Sequence, residues 1–564
     1  MKYVMKIVAL LLAASCLPLA AACARDTGGE AIDENRTQLY VSNFNGGVGT
    51  EWLYGVKERF EEAYRNEVFE PGTDKVGVQV IIEKTKDRGG TLTGTIANSP
   101  YAVFFSESVP YYEWVRNGLV LDISDLVEDT SAGASIESRL SEETKELLTF
   151  IDGNYYAIPH YEGFNGVQYD IDLFEENGFY FAKSGNPDNF GFVSADDTVR
   201  SCGPDGKYGT SDDGLPATYD EFFTLCSYML TKNVTPFVWT GESTEYTNYL
   251  LEALCARYGE AYETALRYTF DSNGQEVEVI TGFDGDTPIV DHVTVTEETG
   301  YYIYQQASRY YALQFFQRLM GNSRYYSELS TSPTFSHLDA QDEYFMSKLE
   351  NQPIAMLIDG NYWWNEADEN GVFTRAASYG AAAENRRFGW MPLPGVVSGT
   401  FEDVNEENGA KATLVESLRS YAAINANIAD DPNMVRLAKL FLQFVYSDEE
   451  LRTFTASTGV TRNLNYDLGS TELAQLTPYA RSFWEYRKQA DIVRSSSTSL
   501  LFMANENDFT TVSGVWGSTI GGVPYRFPYT AFREGRSAKE YFQGMWVTQA
   551  DWDAKYRQYY TVSD

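Results

Sequence analysis

The chain has 564 residues, 43 of them Lys or Arg and 81 Asp or Glu, for a formal net charge of −38. A surface this acidic repels phosphate backbones and anionic headgroups, which argues against nucleic acid as a partner. With 43% apolar and 15% aromatic residues the folded part can bury a large core, and the length calls for at least two lobes.

The chain opens with Lys2 and Lys6, then an apolar run from Ile7 to Ala22 interrupted by Ser15, Cys16 and Pro18. A basic head on a short, broken apolar run predicts a secretion signal over residues 1–22 rather than a membrane span. Residues 24–37 are polar and lack apolar periodicity, which suits a flexible tether. No later stretch is long and apolar enough to span a bilayer.

Gln38 to Phe44 reads as a strand, and Thr50 to Glu67 as a helix with Leu53, Val56, Phe60 and Tyr64 on one face. Val76 to Glu83 and Tyr101 to Phe105 are the next strands, so the opening is α/β with a largely parallel sheet. Asn45-Gly46-Gly47-Val48-Gly49 then falls at the carboxyl end of the first strand, where open α/β sheets bind ligands. It has neither the Gly-Lys-Ser/Thr ending of a phosphate loop nor the spacing of a dinucleotide fingerprint, which excludes a nucleotide site. Phe105-Ser106-Glu107-Ser108 is the second candidate edge; Glu107 reads more simply as a solvated turn carboxylate.

Residues 186–215 read as a surface insertion. Within it Asp205, Asp212 and Asp213 sit among turn-forming glycines. An oxygen-rich loop suits a hard cation such as calcium, although the EF-hand order is missing; a calcium loop and a plain acidic turn both remain open, and either is structural. His160, His292 and His337 are far apart, with no zinc spacing. Cys202, Cys226 and Cys255 allow at most one internal disulfide in an exported chain, with its pairing open.

Thr218-x-x-Glu221 predicts a helix start over Ala217 to Leu230. Pro236 to Val238 is a short apolar strand that ends in Trp239 and Glu242. Residues 274–300 read as a hairpin insertion and Arg309 to Met320 as a core helix. The most informative stretch is Gln352 to Ala367: an apolar strand, Ile354 to Ile358, ends in the turn Asp359-Gly360-Asn361 and then Tyr362, Trp363 and Trp364. Flat aromatic faces beside a few polar groups suit a ring with one apolar face and many hydroxyls, and a buried aromatic cluster fits the same residues equally well. Asp431-Pro432 and Ser447-x-x-Glu450 start two more helices.

Several short motifs, taken in order, are similar to those of carbohydrate-type extracellular solute-binding proteins of ABC importers, the maltose-binding-protein-like class. They are Gly118 to Ile123, Tyr155 to Pro159, Ala355-Met356 with Gly360 and Trp363, Phe388 to Gly395, Ser420 to Ile428 and Ser537 to Phe542. Leu19 to Cys23 resembles a bacterial lipobox, which implies acylation of Cys23, with Cys16 as the alternative. The resemblance implies an α/β, two-lobed periplasmic-binding-protein-like fold with hinge crossings and an interlobe cleft. Residues 23–37 would be the lipidated tether, 38–157 with 424–488 one lobe, and 158–423 with 489–564 the other. It further implies that Phe105, Trp239, Trp363 and Trp516 stack on sugar, with Trp364 beside them. Asn45, Ser108, Glu162, Glu242 and Asn361 would meet hydroxyls.

The implied partners are a carbohydrate, in particular an oligosaccharide, the permease subunits of an ABC importer, and a membrane through the lipid anchor. The chain would act as a monomer without catalysis and require no cofactor, with a structural calcium in the 203–214 loop left open. Two other classes stay open. A secreted glycoside hydrolase would need two acids at a fixed separation, and no pair or nucleophile motif stands out. For a surface adhesin lipoprotein the signal, tether and acidity would suffice.

Overall fold

The computed structural model describes residues 31–131, 133–409 and 411–560. The expected signal, Cys23 and the tether as far as residue 30 lie outside the described residues. Among those described, no helix is long and apolar enough to cross a membrane.

The strands in chain order are β1 (Thr37–Phe44), β2 (Val78–Thr85), β3 (Val103–Ser106), β4 (Ile158–Pro159), β5 (Asn165–Asp170), β6 (Thr235–Val238), β7 (Val277–Asp284) and β8 (Thr287–Val293). They continue with β9 (Ile354–Gly360), β10 (Phe388–Trp390), β11 (Thr413–Glu416), β12 (Tyr421–Ile424), β13 (Asp491–Arg494), β14 (Ser518–Ile520) and β15 (Val523–Tyr525). The first lobe is built on a sheet ordered β2-β1-β3-β12-β4. β1 pairs parallel with β2 and β3, while β12 runs antiparallel to β3 and β4. Leu39 and Val41 are fully buried in β1 beneath the helix Glu51–Ala63, whose Leu53, Val56 and Phe60 form the inward stripe that the sequence periodicity requires.

The second lobe has a sheet ordered β10-β5-β9-β6, with β9 parallel to β6 and antiparallel to β5. All seven residues of β9 are buried, which explains an apolar run without alternation: helices cover both faces. The parallel pair β11–β13 runs beside the crossings. The chain passes between lobes at residues 160–164 and 417–420, because β4 and β12 belong to the first sheet and β5 and β11 do not.

The lobe boundaries therefore differ from those expected. The first sheet takes in β4 and all of β12, beyond the cuts at 157/158 and 423/424. The helix Pro478–Gln489, expected in the first lobe, packs Phe483 against Trp390 at 5.1 Å and Phe164 at 5.8 Å, on the second lobe's side. Sequence separation hid this, since the helix follows first-lobe helices directly in the chain.

Local signals explain the helix ends. Thr218 accepts a hydrogen bond from the Glu221 amide at 3.2 Å, and the Glu221 carboxylate caps the amides of Ala217 and Phe401. The insertion over 186–215 is irregular apart from the single turn Pro187–Asn189. β7 and β8 form the expected hairpin. Cys202, Cys226 and Cys255 are free thiols.

Candidate interlobe binding site

The two lobes meet at the carboxyl end of β1. The Gly47 amide donates to Glu366 Oε1 at 3.0 Å and the Thr50 amide to Glu369 Oε1 at 3.0 Å, both carboxylates lying on the second-lobe helix Trp363–Glu369. Gly47 and Gly49 have φ of +58° and +68°, and a Cβ on Gly49 would strike the Glu369 carboxylate. Glycine is required twice over, by the left-handed backbone and by the close approach. Asn45 does not reach across the cleft; its Oδ1 accepts from Thr50 Oγ1 at 2.9 Å and braces the turn.

Glu107 is 3% exposed rather than solvated, held between Arg88 Nη1 at 2.9 Å and the Tyr161 hydroxyl. Burial pushes its carboxyl up to about 7 in spite of Arg88, with a smaller push from Glu366 across the junction. Asp359, which accepts from Gln341 at 3.1 Å, is raised well above the ordinary carboxylate value by burial and then by Glu366. The junction thus gathers four carboxylates, Glu107, Asp359, Glu366 and Glu369, with the Arg88 guanidinium paired to the first.

Beside it runs an interlobe groove of about 640 Å³, walled on one side by Gly90, Ser108 and Tyr112 and on the other by Arg419 and the segment from Met503 to Asp508. Arg419 also lines a deeper cavity of about 120 Å³ with Asn165, Asn248, Tyr249, Trp390 and Trp516. The cavity is enclosed by the second lobe and the strands β11 and β13. Five polar atoms of its lining residues are buried without a partner: Asn165 Oδ1, Asn248 Oδ1, Thr413 Oγ1, Ser495 Oγ and Arg419 Nε. Acceptors and hydroxyls left unpaired inside a protein are costly unless something else satisfies them. Alternating with aromatic faces, they form a lining suited to a hydroxyl-bearing ring.

The structure brings only some of the expected residues here. Trp516 lines the cavity, its indole donating to Glu252 at 2.6 Å, and Ser108 lines the groove. Phe105 is in the first-lobe core, edge-on to Trp52 at 5.2 Å. Glu162 is fully buried and accepts from Arg487 at 2.6 and 2.8 Å and from Thr461 Oγ1, which leaves little acceptor capacity for a sugar. Trp239 is fully buried against Tyr326, whereas the side chain of Glu242 is exposed. Asn361 exchanges hydrogen bonds with the Phe164 backbone at 2.8 and 3.0 Å and so ties β9 to the crossing.

Trp363 and Trp364 point into the second lobe, Trp363 meeting Tyr344, Phe388 and Tyr479 edge-on at 5.6, 5.3 and 5.6 Å. The neighbour, Tyr362, packs into the first-lobe core cluster, with its ring lying over Gly360 where a Cβ could not fit. A helix begins at Trp363, and its curvature sends adjacent side chains to opposite lobes. Sequence reasoning also missed Arg419, Tyr249 and Asn248. An arginine in Ser417-Leu418-Arg419-Ser420, just before β12, was the available signal for the first; the other two lie on the helix Thr247–Thr269 with nothing local to mark them.

Asp205, Asp212 and Asp213 close their loop as acceptors: Asp212 takes the Asp205 amide at 3.1 Å and Asp213 the Gly209 amide at 2.8 Å. Among the described residues no group of three or more His, Cys, Asp or Glu side chains converges as a metal site would.

Neither a protein-family model nor a curated protein matches the chain by sequence. Solved structures do match it. A chitin oligosaccharide binding protein superposes with a TM-score of 0.53 at 13% identity, covering 92% of this chain and 100% of its own. The binding protein RafE in complex with raffinose gives 0.53 at 14% identity, covering 92% and 99%. Maltose-bound MalE3 of T. maritima gives the same values. These likenesses assign the fold: the chain has the two-lobed architecture of maltose-binding-protein-like solute-binding proteins.

Proposed function

We propose that this protein captures a carbohydrate between its lobes and hands it, intact, to the permease of an ABC importer, while held at the membrane by a lipid on Cys23. The observation that carries this reading is the interlobe groove with its deeper cavity, in which Tyr249, Trp390 and Trp516 alternate with unpartnered Asn165, Asn248, Thr413 and Ser495. Three of the matched proteins, a chitin oligosaccharide binding protein, RafE with raffinose and MalE3 with maltose, support the same ligand class. Closure would follow from differential contact: a ligand touching both walls stabilises the state in which Gly47 and Thr50 reach Glu366 and Glu369. The groove is large enough for more than one ring, which favours an oligosaccharide.

The test is intrinsic tryptophan fluorescence during titration with a panel of oligosaccharides, with chromatography to check that each sugar survives. A saturable change with intact sugar is expected, and Tyr249→Ala weakens it about tenfold or more by removing a stacking face. Breakdown of the sugar would replace this reading with a hydrolase. A flat response to every sugar would leave the adhesin.

A further inference from the structure

The charge inside the cavity is opposite to that of the protein. The chain carries −38 overall, yet the cavity walls hold Arg257, Arg267 and Arg419 against a single carboxylate, Glu252. Glu252 is committed to Arg267, which grips both its oxygens. Arg257 is 4% exposed and donates to the carbonyls of Leu393 at 2.8 Å and Lys411 at 2.5 Å. A fourth guanidinium, Arg309, lies behind Trp516 at 5.3 Å and donates to the Val515 carbonyl at 2.7 Å. Neither Arg257 nor Arg309 has an ion-pair partner among the described residues. Glu252 acts on Arg309 and Asp212 on Arg257 only from beyond ion-pair distance, and buried cations without a close counter-charge are destabilising unless an anion reaches them.

Arg419 occupies the neck between groove and cavity. It is paired with Glu506 on the groove side, its Nε is buried without a partner, and its φ of +47° is strained for a residue with a side chain. Strain of this kind persists where the surroundings require a particular placement. The guanidinium fork can hold a planar oxyanion through two parallel bonds, and only part of that capacity is used. Glu506 belongs to the short helix Glu506–Thr510 and its side chain is 24% exposed, so it can leave Arg419 for water.

We propose that the ligand is an anionic saccharide, one bearing a carboxylate or a sulfate ester, whose charged group displaces Glu506 from Arg419 while its neutral rings occupy the polar-aromatic lining. This rests on the carbohydrate reading above and narrows it. Arg257 and Arg309 supply the excess positive potential behind the neck, and Asn165 and Asn248 accept from ring hydroxyls. The acidic exterior does not forbid such a ligand, because surface charge is screened within about 10 Å at ordinary ionic strength and the neck is far less screened.

The experiment is calorimetric titration of the full chain with matched pairs. The probes are trigalacturonate against neutral galactotriose, and a sulfated against an unsulfated disaccharide of one backbone. The anionic member of at least one pair is expected to bind about tenfold or more tighter than its neutral counterpart, and which pair responds distinguishes carboxylate from sulfate. Arg419→Gln is expected to erase that difference, so that the anionic and neutral members of the pair bind alike. Glu506→Gln is expected to strengthen anionic binding several-fold by removing the competitor, and it keeps the proposal testable if Arg419→Gln folds poorly. Neutral members binding as tightly as anionic ones, or Arg419→Gln weakening both alike, overturns the proposal and leaves carbohydrate capture standing. Absence of binding by every member overturns both.

Discussion

Glu162 distinguishes a ligand contact from a structural brace, and Glu162→Ala decides between them. The carboxylate is fully buried, accepts two bonds from Arg487 at 2.6 and 2.8 Å and a third from Thr461, and so pins the first crossing to the helix Pro478–Gln489. Breaking a buried pair by deleting one partner costs about 3–5 kcal/mol. Two features place this case at the low end. The Arg487 side chain is 18% exposed and can recruit water. Nearby Glu416, held up to about 7 by burial and then by Glu162, is relieved when that charge goes. A net loss of about 2–3 kcal/mol, at roughly 2–4 °C per kcal/mol for a lobe of this size, lowers the melting temperature by about 4–12 °C. The assay is scanning calorimetry beside sugar titration at a temperature where the variant is folded, and affinity is expected to change less than about threefold. A melting temperature within about 1 °C of the parent, together with a tenfold loss of affinity, would refute the brace and restore Glu162 to the site.

The pH dependence has a definite sign. Glu107 is raised from 4.5 to about 7, so the native state keeps a proton that the unfolded chain has lost across that window. Its stabilising effect is complete below the unfolded value and disappears as pH rises through about 7. The melting temperature should fall between pH 5 and pH 8, and Glu107→Gln should flatten the slope by up to about 3 kcal/mol; a melting temperature that rises over this range contradicts the assignment. Gly49→Ala places a methyl against Glu369 in a left-handed backbone. It should weaken ligand affinity about five- to thirtyfold through lobe closure, a cost of about 1–2 kcal/mol, and enlarge the ligand-bound radius in X-ray scattering. An unchanged affinity and radius would mean that the Gly47–Thr50 contact does not govern closure.

The sequence by itself determined the local architecture. The helix faces, the caps at Thr218, Ser447 and Ser537, the hairpin at 277–293 and the alternation of strand and helix in the first lobe all follow from interactions within a few residues. It also located two places where the chain turns toward the other lobe, the glycine-rich turn after β1 and the end of β9, whereas the crossings fall a few residues away from the expected cuts. Tertiary structure alone decided which side chain at those places faces the ligand space. Tyr362 and Trp363 are adjacent and equally suited to stacking, but the helix starting at Trp363 sends one toward the first lobe and the other into the second-lobe core. Glu162 and Arg487 are 325 residues apart, so no local pattern could reveal that the carboxylate was already engaged. The cavity's positive surroundings were invisible for the same reason: Arg257 and Arg419, which line it, and Arg309, which lies behind Trp516, come from three separate segments, within a composition dominated by acids. Composition reports the surface, where most charges reside, and the sign of a buried site depends on which few charges the fold encloses.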